Sequence, residues 1–177
     1  MKKVILFKVI CILVLLTVQK TYSQSEVRLT LLQDARLAVA EDKTGAYKPF
    51  TLNFLTKLKL TGNQVGSGYL VISPMFEYAD IEGVYKRYAI DIGFTFNEAL
   101  RWGLEITPSI NYGIQDRWSI SWLAFGADLQ ASIKLNDKLR LTILGQAVER
   151  KDLKWAYNDT AISLSGFIGI EYKLRTN

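Results

Sequence analysis

The segment from Arg101 to Gln115 alternates apolar and polar residues without a break. Its apolar positions are Trp102, Leu104, Ile106, Pro108, Ile110, Tyr112 and Ile114. Because successive side chains of a β-strand point to opposite faces, this period of two predicts a strand with one apolar face. The segment exceeds the usual strand of about 5–6 residues and is long enough for the roughly 9–11 residues with which a tilted strand crosses a bilayer. It therefore predicts a transmembrane β-strand, with Trp102 and Tyr112 near the two interfaces.

The same alternation recurs along the chain and predicts eight strands. They cover 27–40, 51–61, 69–79, 85–96, 101–115 and 118–135, with a seventh from Leu139 and a last from Ile162 to Leu174. The first also fits a helical spacing, and a strand is preferred because the remainder of the chain is strand-like. The segment GNQVGSG after the second strand reads as a hairpin turn, since Gly and Asn tolerate positive φ.

The connections between these strands alternate in character. Those at 41–48, 80–84, 115–118 and 150–159 are mostly charged, whereas those after the second, fourth and sixth strands are mainly tight or uncharged. Outer-membrane barrels have even strand numbers, short periplasmic turns and longer external loops. The pattern thus predicts an all-β, antiparallel, up-and-down transmembrane barrel of eight strands, with both termini in the periplasm and the four charged loops outside the cell.

The N-terminus has the layout of a secretory signal peptide. Lys2 and Lys3 precede an apolar run, and Thr21-Tyr22-Ser23 places small residues before a cleavage site at Gln24. We therefore expect residues 1–23 to be removed and residues 24–177 to form the outer-membrane barrel domain. Cleavage would remove four of the 22 Lys and Arg and no acidic residue, leaving 18 basic against 17 acidic residues. The basic pI is then no argument for nucleic acid binding.

Charged residues interrupt the polar face of the predicted strands in their middle. The candidate interior network is Lys57, Glu77, Arg87, Asp91, Glu105, Asp128, Arg140 and Glu171. With Asp34, Arg36, Lys59 and Lys173 the two signs balance at six each. Buried charges need partners, and an eight-stranded barrel has room inside only for side chains, so a balanced set predicts an interior ion-pair network with the apolar face turned outward. A solvated polar surface over an apolar core is the alternative.

The composition excludes most catalytic chemistry. The chain has no histidine, and its one cysteine, Cys11, lies in the predicted signal, so histidine-based catalysis, thiol chemistry and any disulfide are absent from the mature protein. Asp91 and Glu105 lie on neighbouring predicted strands and could form an acid–base pair or a cation site. Ion pairs with Arg87 or Lys57 are the simpler interpretation. We expect no enzyme activity, no metal and no cofactor.

The chain resembles small eight-stranded outer-membrane β-barrel proteins of the OmpX/OmpA-like kind, and most closely those of Bacteroidota. The resemblance covers the whole mature chain and rests on the strand pattern, on Phe76-Glu77-Tyr78-Ala79-Asp80 followed by the strand up to Phe96, and on the last strand. It implies a C-terminal signal for the barrel-assembly machinery, matched by Gly169, Tyr172 and Leu174. Two departures are Phe167, where a polar residue is usual, and the trailing Arg175-Thr176-Asn177.

The best candidate for surface interaction is the loop segment KDLKWAYND. Exposed Trp155 and Tyr157 could anchor a partner, a glycan or lipopolysaccharide, while Lys151 and Lys154 could meet lipid phosphates. An interfacial aromatic belt is the alternative.

These features together predict a monomeric, non-enzymatic outer-membrane barrel with a structural or surface-loop role in the cell envelope. A narrow porin-like channel and a soluble lipocalin-like periplasmic carrier of an apolar ligand stay open as alternatives.

Overall fold

The computed structural model describes residues 26–36, 52–80, 83–100, 103–158 and 162–176. Eight strands lie within these ranges: β1 (Glu26–Asp34), β2 (Asn53–Val65), β3 (Gly68–Asp80), β4 (Val84–Leu100), β5 (Leu104–Arg117), β6 (Ile120–Lys134), β7 (Leu139–Glu149) and β8 (Ile162–Thr176). Each strand pairs antiparallel with its neighbour in sequence, and β1 pairs with β8 to close the sheet. The predicted eight-stranded up-and-down barrel is confirmed.

Several strands are longer than the alternation of residues predicted. β2 continues to Val65, so the predicted turn from Gly62 to Gly68 shrinks to Gly66 and Ser67. Gly66 has a φ of 60°, which a tight two-residue hairpin requires and which glycine adopts without a steric penalty. β4 likewise continues through the predicted turn at 97–100. Polar residues at a strand end keep their ladder hydrogen bonds, and composition alone does not reveal this.

The two ends of the barrel differ in their connections. The loop end carries the connections after β1, β3, β5 and β7, and the turn end carries those after β2, β4 and β6.

The predicted signal peptide, the predicted loop 41–48 and Trp102 lie outside the described residues. The predicted loop 150–159 contains instead a seven-residue helix, α1 (Lys151–Tyr157). Its polar sequence has no apolar period, and Asn158 ends it in the left-handed conformation.

The apolar face of every strand points away from the barrel interior. On β5, Glu105, Thr107 and Asn111 are buried, whereas Ile110 between them is 70% exposed. On β8, Leu164 is 80% exposed while Glu171 is fully buried. The polar face predicted from the alternation is therefore the inner face, the reverse of the arrangement that a carrier of apolar ligands needs.

One part of the interior is apolar. Among the described residues, one cluster of inward, buried apolar side chains consists of Leu32, Leu55, Met75, Ala89, Leu144 and Phe167. Phe167, which departs from the polar residue usual at that position, packs in this cluster and is 2% exposed. The interior is thus partly polar and partly apolar rather than wholly charged.

Candidate functional site: the filled interior and its two ends

Lys57 lies at the centre of the middle charge cluster. Its Nζ donates to Asp91 Oδ2 at 2.9 Å and to Asp128 Oδ2 at 2.6 Å. The three side chains come from β2, β4 and β6, so the contacts cross the lumen and join strands that are not neighbours in the sheet. All three side chains are nearly inaccessible to water. One cation between two carboxylates leaves this group one positive charge short.

Arg87 on β4 extends this cluster and brings a third carboxylate into it. Its Nη1 donates to Glu77 Oε2 at 3.1 Å, and its Nη2 donates to Asn111 Oδ1. The amide of Asn111 in turn donates to Asp128 Oδ1 at 3.0 Å and so links Arg87 to the Lys57 group. Gly126 on β6 makes room for this contact, because a Cβ there would lie 2.4 Å from Asn111 Oδ1 and 3.0 Å from Arg87 Nη2.

A second cluster fills the turn end. Arg28 Nη1 donates to Glu105 Oε2 at 2.6 Å and to Glu171 Oε1 at 2.8 Å. Arg140 Nη1 lies 3.3 Å from Glu105 Oε1, and Lys59 Nζ lies 3.8 Å from Glu105 Oε2. Two carboxylates thus bind three cations from β1, β2 and β7 across the lumen.

All eight residues of the predicted interior network lie inside the barrel and take part in these two clusters. The balanced set of twelve was wrong at one position: Arg36 is exposed, because the chain leaves β1 at Asp34 and turns helically at the barrel rim. Arg28, which has more of the short contacts than any predicted cation, was missed. Arg28 lies two residues before Thr30, four before Leu32 and six before Asp34, so on a strand it faces inward with them. The apolar residues of this segment also fit a helix, and for this reason the inward position of Arg28 was not predicted.

The structure does not bring Asp91 and Glu105 together. Asp91 lies opposite Asn111 in the β4–β5 ladder, six residues along β5 from Glu105. Asp91 binds Lys57 in the middle cluster, whereas Glu105 binds Arg28 at the turn end. An ion pair with Lys57 describes Asp91, whereas Glu105 pairs with neither Arg87 nor Lys57 but with Arg28 and Arg140.

The loop end is closed by a different kind of contact. Arg150 donates twice to Asp152, with both distances at 2.8 Å, and Arg117 Nε lies 3.3 Å from the same carboxylate. The guanidinium of Arg150 stacks 4.2 Å from the ring centre of buried Tyr85, and that of Arg117 lies 5.4 Å from it. Such cation–π stacking lets two arginines share one carboxylate. We call Tyr85, Arg117, Arg150 and Asp152 the loop-end cap.

These contacts shift the pKa values of Asp152 and Arg150. Burial alone would raise the pKa of Asp152, but hydrogen bonds from Arg150 and the positive charges of Arg150 and Arg117 hold it below its ordinary value. Burial alone would lower the pKa of Arg150, and the Asp152 carboxylate overcomes this and raises it. The pair is therefore charged at neutral pH. No alternation of apolar and polar residues in the sequence predicted that the four residues of the cap would meet.

Three tryptophans meet beside the cap. The ring centre of Trp155 on α1 lies 6.4 Å from that of Trp118 and 6.1 Å from that of Trp122. Trp118 and Ser119 form the β5–β6 turn with φ of 50° and 64°, a conformation that residues other than glycine rarely adopt. Trp155 is nonetheless 63% exposed. We call Trp118, Trp122 and Trp155 the tryptophan cluster.

The predicted interaction residues divide around this cluster. Lys154 and Trp155 are exposed on α1. Lys151 donates to the carbonyl oxygen of Leu123 at 2.9 Å and lies 3.3 Å from Glu149, so it ties α1 to the barrel wall. The backbone of Tyr157 ends α1, and its side chain lies outside the described residues.

The three residues of the predicted assembly signal lie on β8. Tyr172 and Leu174 point outward and are 42% and 53% exposed. Gly169 packs against β1, where a Cβ would lie 2.0 Å from the carbonyl oxygen of Leu31. The close approach of the closing strands is therefore a sufficient reason for glycine at this position.

The described ranges contain neither a metal site nor a membrane-spanning helix. No group of three or more His, Cys, Asp and Glu residues there is placed to hold a metal ion. Among those same residues, no helix has the length and apolarity to span a membrane.

Comparison with known proteins gives a likeness in fold. No protein-family model matches the sequence, and no curated protein is significantly similar to it. Among solved structures, the chain is similar to the outer membrane protein Ail of Yersinia pestis, whose backbone structure was determined in a phospholipid bilayer nanodisc. The sequence identity is 10%, the TM-score is 0.56, and the match covers 85% of this chain and all of that one. The chain is therefore a closed, eight-stranded antiparallel up-and-down barrel with the fold of that outer-membrane protein.

Proposed function

We propose that this protein is a non-enzymatic, integral outer-membrane β-barrel with a sealed interior, whose role in the cell envelope is structural or is exerted through its loop end. The observation that carries the proposal is the inversion of the barrel, with apolar side chains outward on its strands and charged side chains buried inside. In water an apolar patch of this extent would be exceptional, whereas in a bilayer it meets acyl chains.

Aromatic residues support this location. Outward rings near the loop end form a row of two packed groups: Phe54, Phe76, Tyr78 and Tyr88 on β2 to β4, and Tyr112 with Phe125 on β5 and β6. Within each group the ring centres in contact are 4.6–5.8 Å apart. Amphipathic rings at the headgroup level are typical of outer-membrane barrels. The row supports a bilayer boundary at the level of Tyr112.

The filled lumen favours a closed barrel over a channel. Ion pairs from β1, β2, β4, β5, β6 and β8 cross the interior, and the apolar cluster around Phe167 occupies more of it. The same filling and the outward apolar face disfavour an apolar-ligand carrier, whose cavity would need an apolar lining.

A surface role is supported by the position of the tryptophan cluster. Trp118 lies six residues beyond Tyr112 along the chain, which corresponds to roughly 14 Å along the barrel axis at about 3.3 Å per residue and a tilt near 45°. Trp118, and with it the neighbouring ring of Trp155, therefore stands above the aromatic row. Exposed, rigid aromatic rings of this kind are typical anchors for a partner. Binding of lipopolysaccharide or another partner through Lys151, Lys154, Trp155 and Tyr157 belongs to this proposal.

Export and assembly also belong to the proposal. Residues 1–23 would be removed as a signal peptide, and the barrel-assembly machinery would recognise the β8 signal of Gly169, Tyr172 and Leu174. The outward, accessible position of Tyr172 and Leu174 is compatible with such recognition.

Two arginine substitutions test the membrane location. Ile110→Arg places a charge at the middle of an outward strand face, whereas Val65→Arg places it at the tip of the β2–β3 hairpin, where Val65 is 64% exposed. In a lipid bilayer we expect Ile110→Arg to lower the free energy of unfolding by about 2–4 kcal/mol and Val65→Arg by about 0–1 kcal/mol. Equal, negligible effects, or recovery of the unmodified protein in the soluble fraction without detergent, would contradict the proposal.

Conductance measurements distinguish the sealed barrel from the channel. We expect flat current traces from folded protein in planar bilayers, because the ion pairs block the lumen. Reproducible unitary steps would support the channel instead.

A further inference from the structure

A basic cavity opens at the turn end of the barrel, beside the β6–β7 connection. It has a volume of about 250 Å³. Five cationic residues line it, Arg28, Lys134, Lys138, Arg140 and Lys173, together with the carboxylate of Asp137. One water occupies about 30 Å³ of liquid, so the cavity holds a tetrahedral oxyanion with several waters. None of these residues has a role in the proposed loop-end interactions.

The cavity has a surplus of positive charge. Glu26, Glu105 and Glu171 bind its arginines and Lys173 but do not line the cavity. When these carboxylates and Lys59 are included, six cations stand against four anions. The one acidic residue in the lining, Asp137, forms an exposed pair with Lys134 at 2.7 Å, and exposed pairs of this kind are weak. An incoming anion therefore meets uncompensated charge.

Lys138 is a cation of the lining that is free for an incoming anion. Its side chain is exposed and forms no ion pair within the part of the chain that the structure describes.

The donors are held in place before any ligand binds. Arg140 Nη2 donates to the carbonyl oxygens of Gly103, at 2.6 Å, and Ser132, at 3.3 Å. Arg28 is fixed by the two carboxylates of the turn-end cluster. The Asn136 side chain accepts from the backbone N–H groups of Lys138 and Leu139 and so fixes the turn. A preorganised set of cationic donors loses little entropy on binding.

We infer that this cavity is a binding site for a phosphate group. Guanidinium and ammonium donors around a small, partly buried space match the charge and the several acceptor oxygens of phosphate. Leu135 and Leu174, neighbours in sequence of lining residues, are exposed on the apolar outer face. The cavity thus lies where the apolar wall ends and is within reach of a lipid phosphate as well as of free phosphate.

Titration with two probes tests the site. The protein is purified in a maltoside detergent, which carries no phosphate, and its amide resonances are followed by NMR. Inorganic phosphate is added in one arm and phosphatidylglycerol in the other, both at constant ionic strength. We expect saturable shifts at residues 134–140 and 173. Shifts with both probes or with phosphate alone support a general phosphate site, and shifts with the lipid alone support a headgroup site.

Variants with opposite expected effects guard against misfolding. The double substitution K134Q/K138Q should weaken binding about tenfold, because two charged contacts are lost. D137N should strengthen binding roughly threefold, because the only acidic group of the lining is neutralised. The single variant K138Q should also weaken binding, and its matched control K86Q, which removes one exposed lysine at the loop end, should leave the affinity unchanged. Absence of saturable shifts with either probe, or an equal loss in the control, would overturn the inference.

Discussion

The middle of the barrel and its loop end solve the same problem, burial of charge, in different ways. In the middle, Lys57 bonds to Asp91 and Asp128 from three non-adjacent strands, and the atoms are sealed by the sheet itself. At the loop end, Asp152 comes from a seven-residue helix and is held by Arg150, its neighbour two positions away, and by Arg117. The residues of the middle cluster all belong to the closed sheet, whereas the carboxylate of the cap lies on a helix outside it.

This difference predicts that the middle cluster governs global stability and that the cap governs local order. The largest effect is expected from Lys57→Met, which leaves two buried carboxylates without their cation. Breaking a buried pair in this way costs about 3–5 kcal/mol of unfolding free energy. Urea unfolding of the refolded barrel measures it, and the triple variant K57M/D91N/D128N should recover a large part of the loss. A loss below about 1 kcal/mol would mean that water reaches the cluster.

Packing around the middle cluster gives the second prediction. Gly126→Ala should lower the unfolding free energy by about 1–3 kcal/mol, since the added methyl group displaces Asn111 and Arg87. Gly145 on β7 is the matched control, because a Cβ there meets nothing within 4 Å. Gly145→Ala should be neutral. Equal effects in the two variants would show that the space beside Gly126 is not needed.

Weakening the cap should have a smaller and more local effect. Asp152→Asn removes the carboxylate shared by Arg117 and Arg150, and we expect a loss of roughly 1–3 kcal/mol. The lowered pKa of Asp152 sets the sign of the pH dependence. Its stabilisation is fully present above the unfolded value of about 3.9 and is lost as the pH falls through the lower folded value.

Tryptophan emission reports on the cap, because the tryptophan cluster adjoins it. On acidification below about pH 4 the emission of the unmodified protein should change before the barrel unfolds, and the D152N variant should lack this step. A single transition common to both proteins would mean that the cap and the barrel unfold as one unit.

The smallest effect on stability is expected from Trp155→Ala. The side chain is largely exposed, so the unfolding free energy should change by less than about 0.5 kcal/mol. The same variant should lose adhesion or partner binding through the loop end if the proposed surface role holds. Val84→Ala, also exposed at the loop end, is a control that leaves the tryptophan cluster intact. Equal binding by W155A and the unmodified protein would remove the cluster from the proposal.

The sequence predicted which charged residues face the lumen wherever a strand was long and regular. Glu105 and Asp128 alternate with apolar residues over many positions, so the face on which each lies was clear. Arg28 belongs to a nine-residue strand whose apolar residues also fit a helix, and Arg117 lies two residues beyond the predicted end of β5. Periodicity needs several repeats, and neither residue has enough of them around it.

Alternation could not predict which charged residues pair with each other inside the barrel. Alternation indicates that Glu105 faces the lumen, but register and strand tilt decide that it meets Arg28 rather than Asp91. The loop-end cap shows the same limit more strongly, because Tyr85, Arg117 and Asp152 come from three separate parts of the chain and only one of them lies in a predicted strand.

The sequence by itself determined the strand number, the antiparallel order and the set of residues on each face, because a period of two is a local property of the backbone. Only the tertiary structure decided which face is inside. Closing eight strands into a barrel leaves a lumen in which charged side chains are buried as paired clusters beside one apolar cluster, and most of the large apolar residues lie on the outer wall. Closure also brought together Lys57, Asp91 and Asp128, which no local pattern connects.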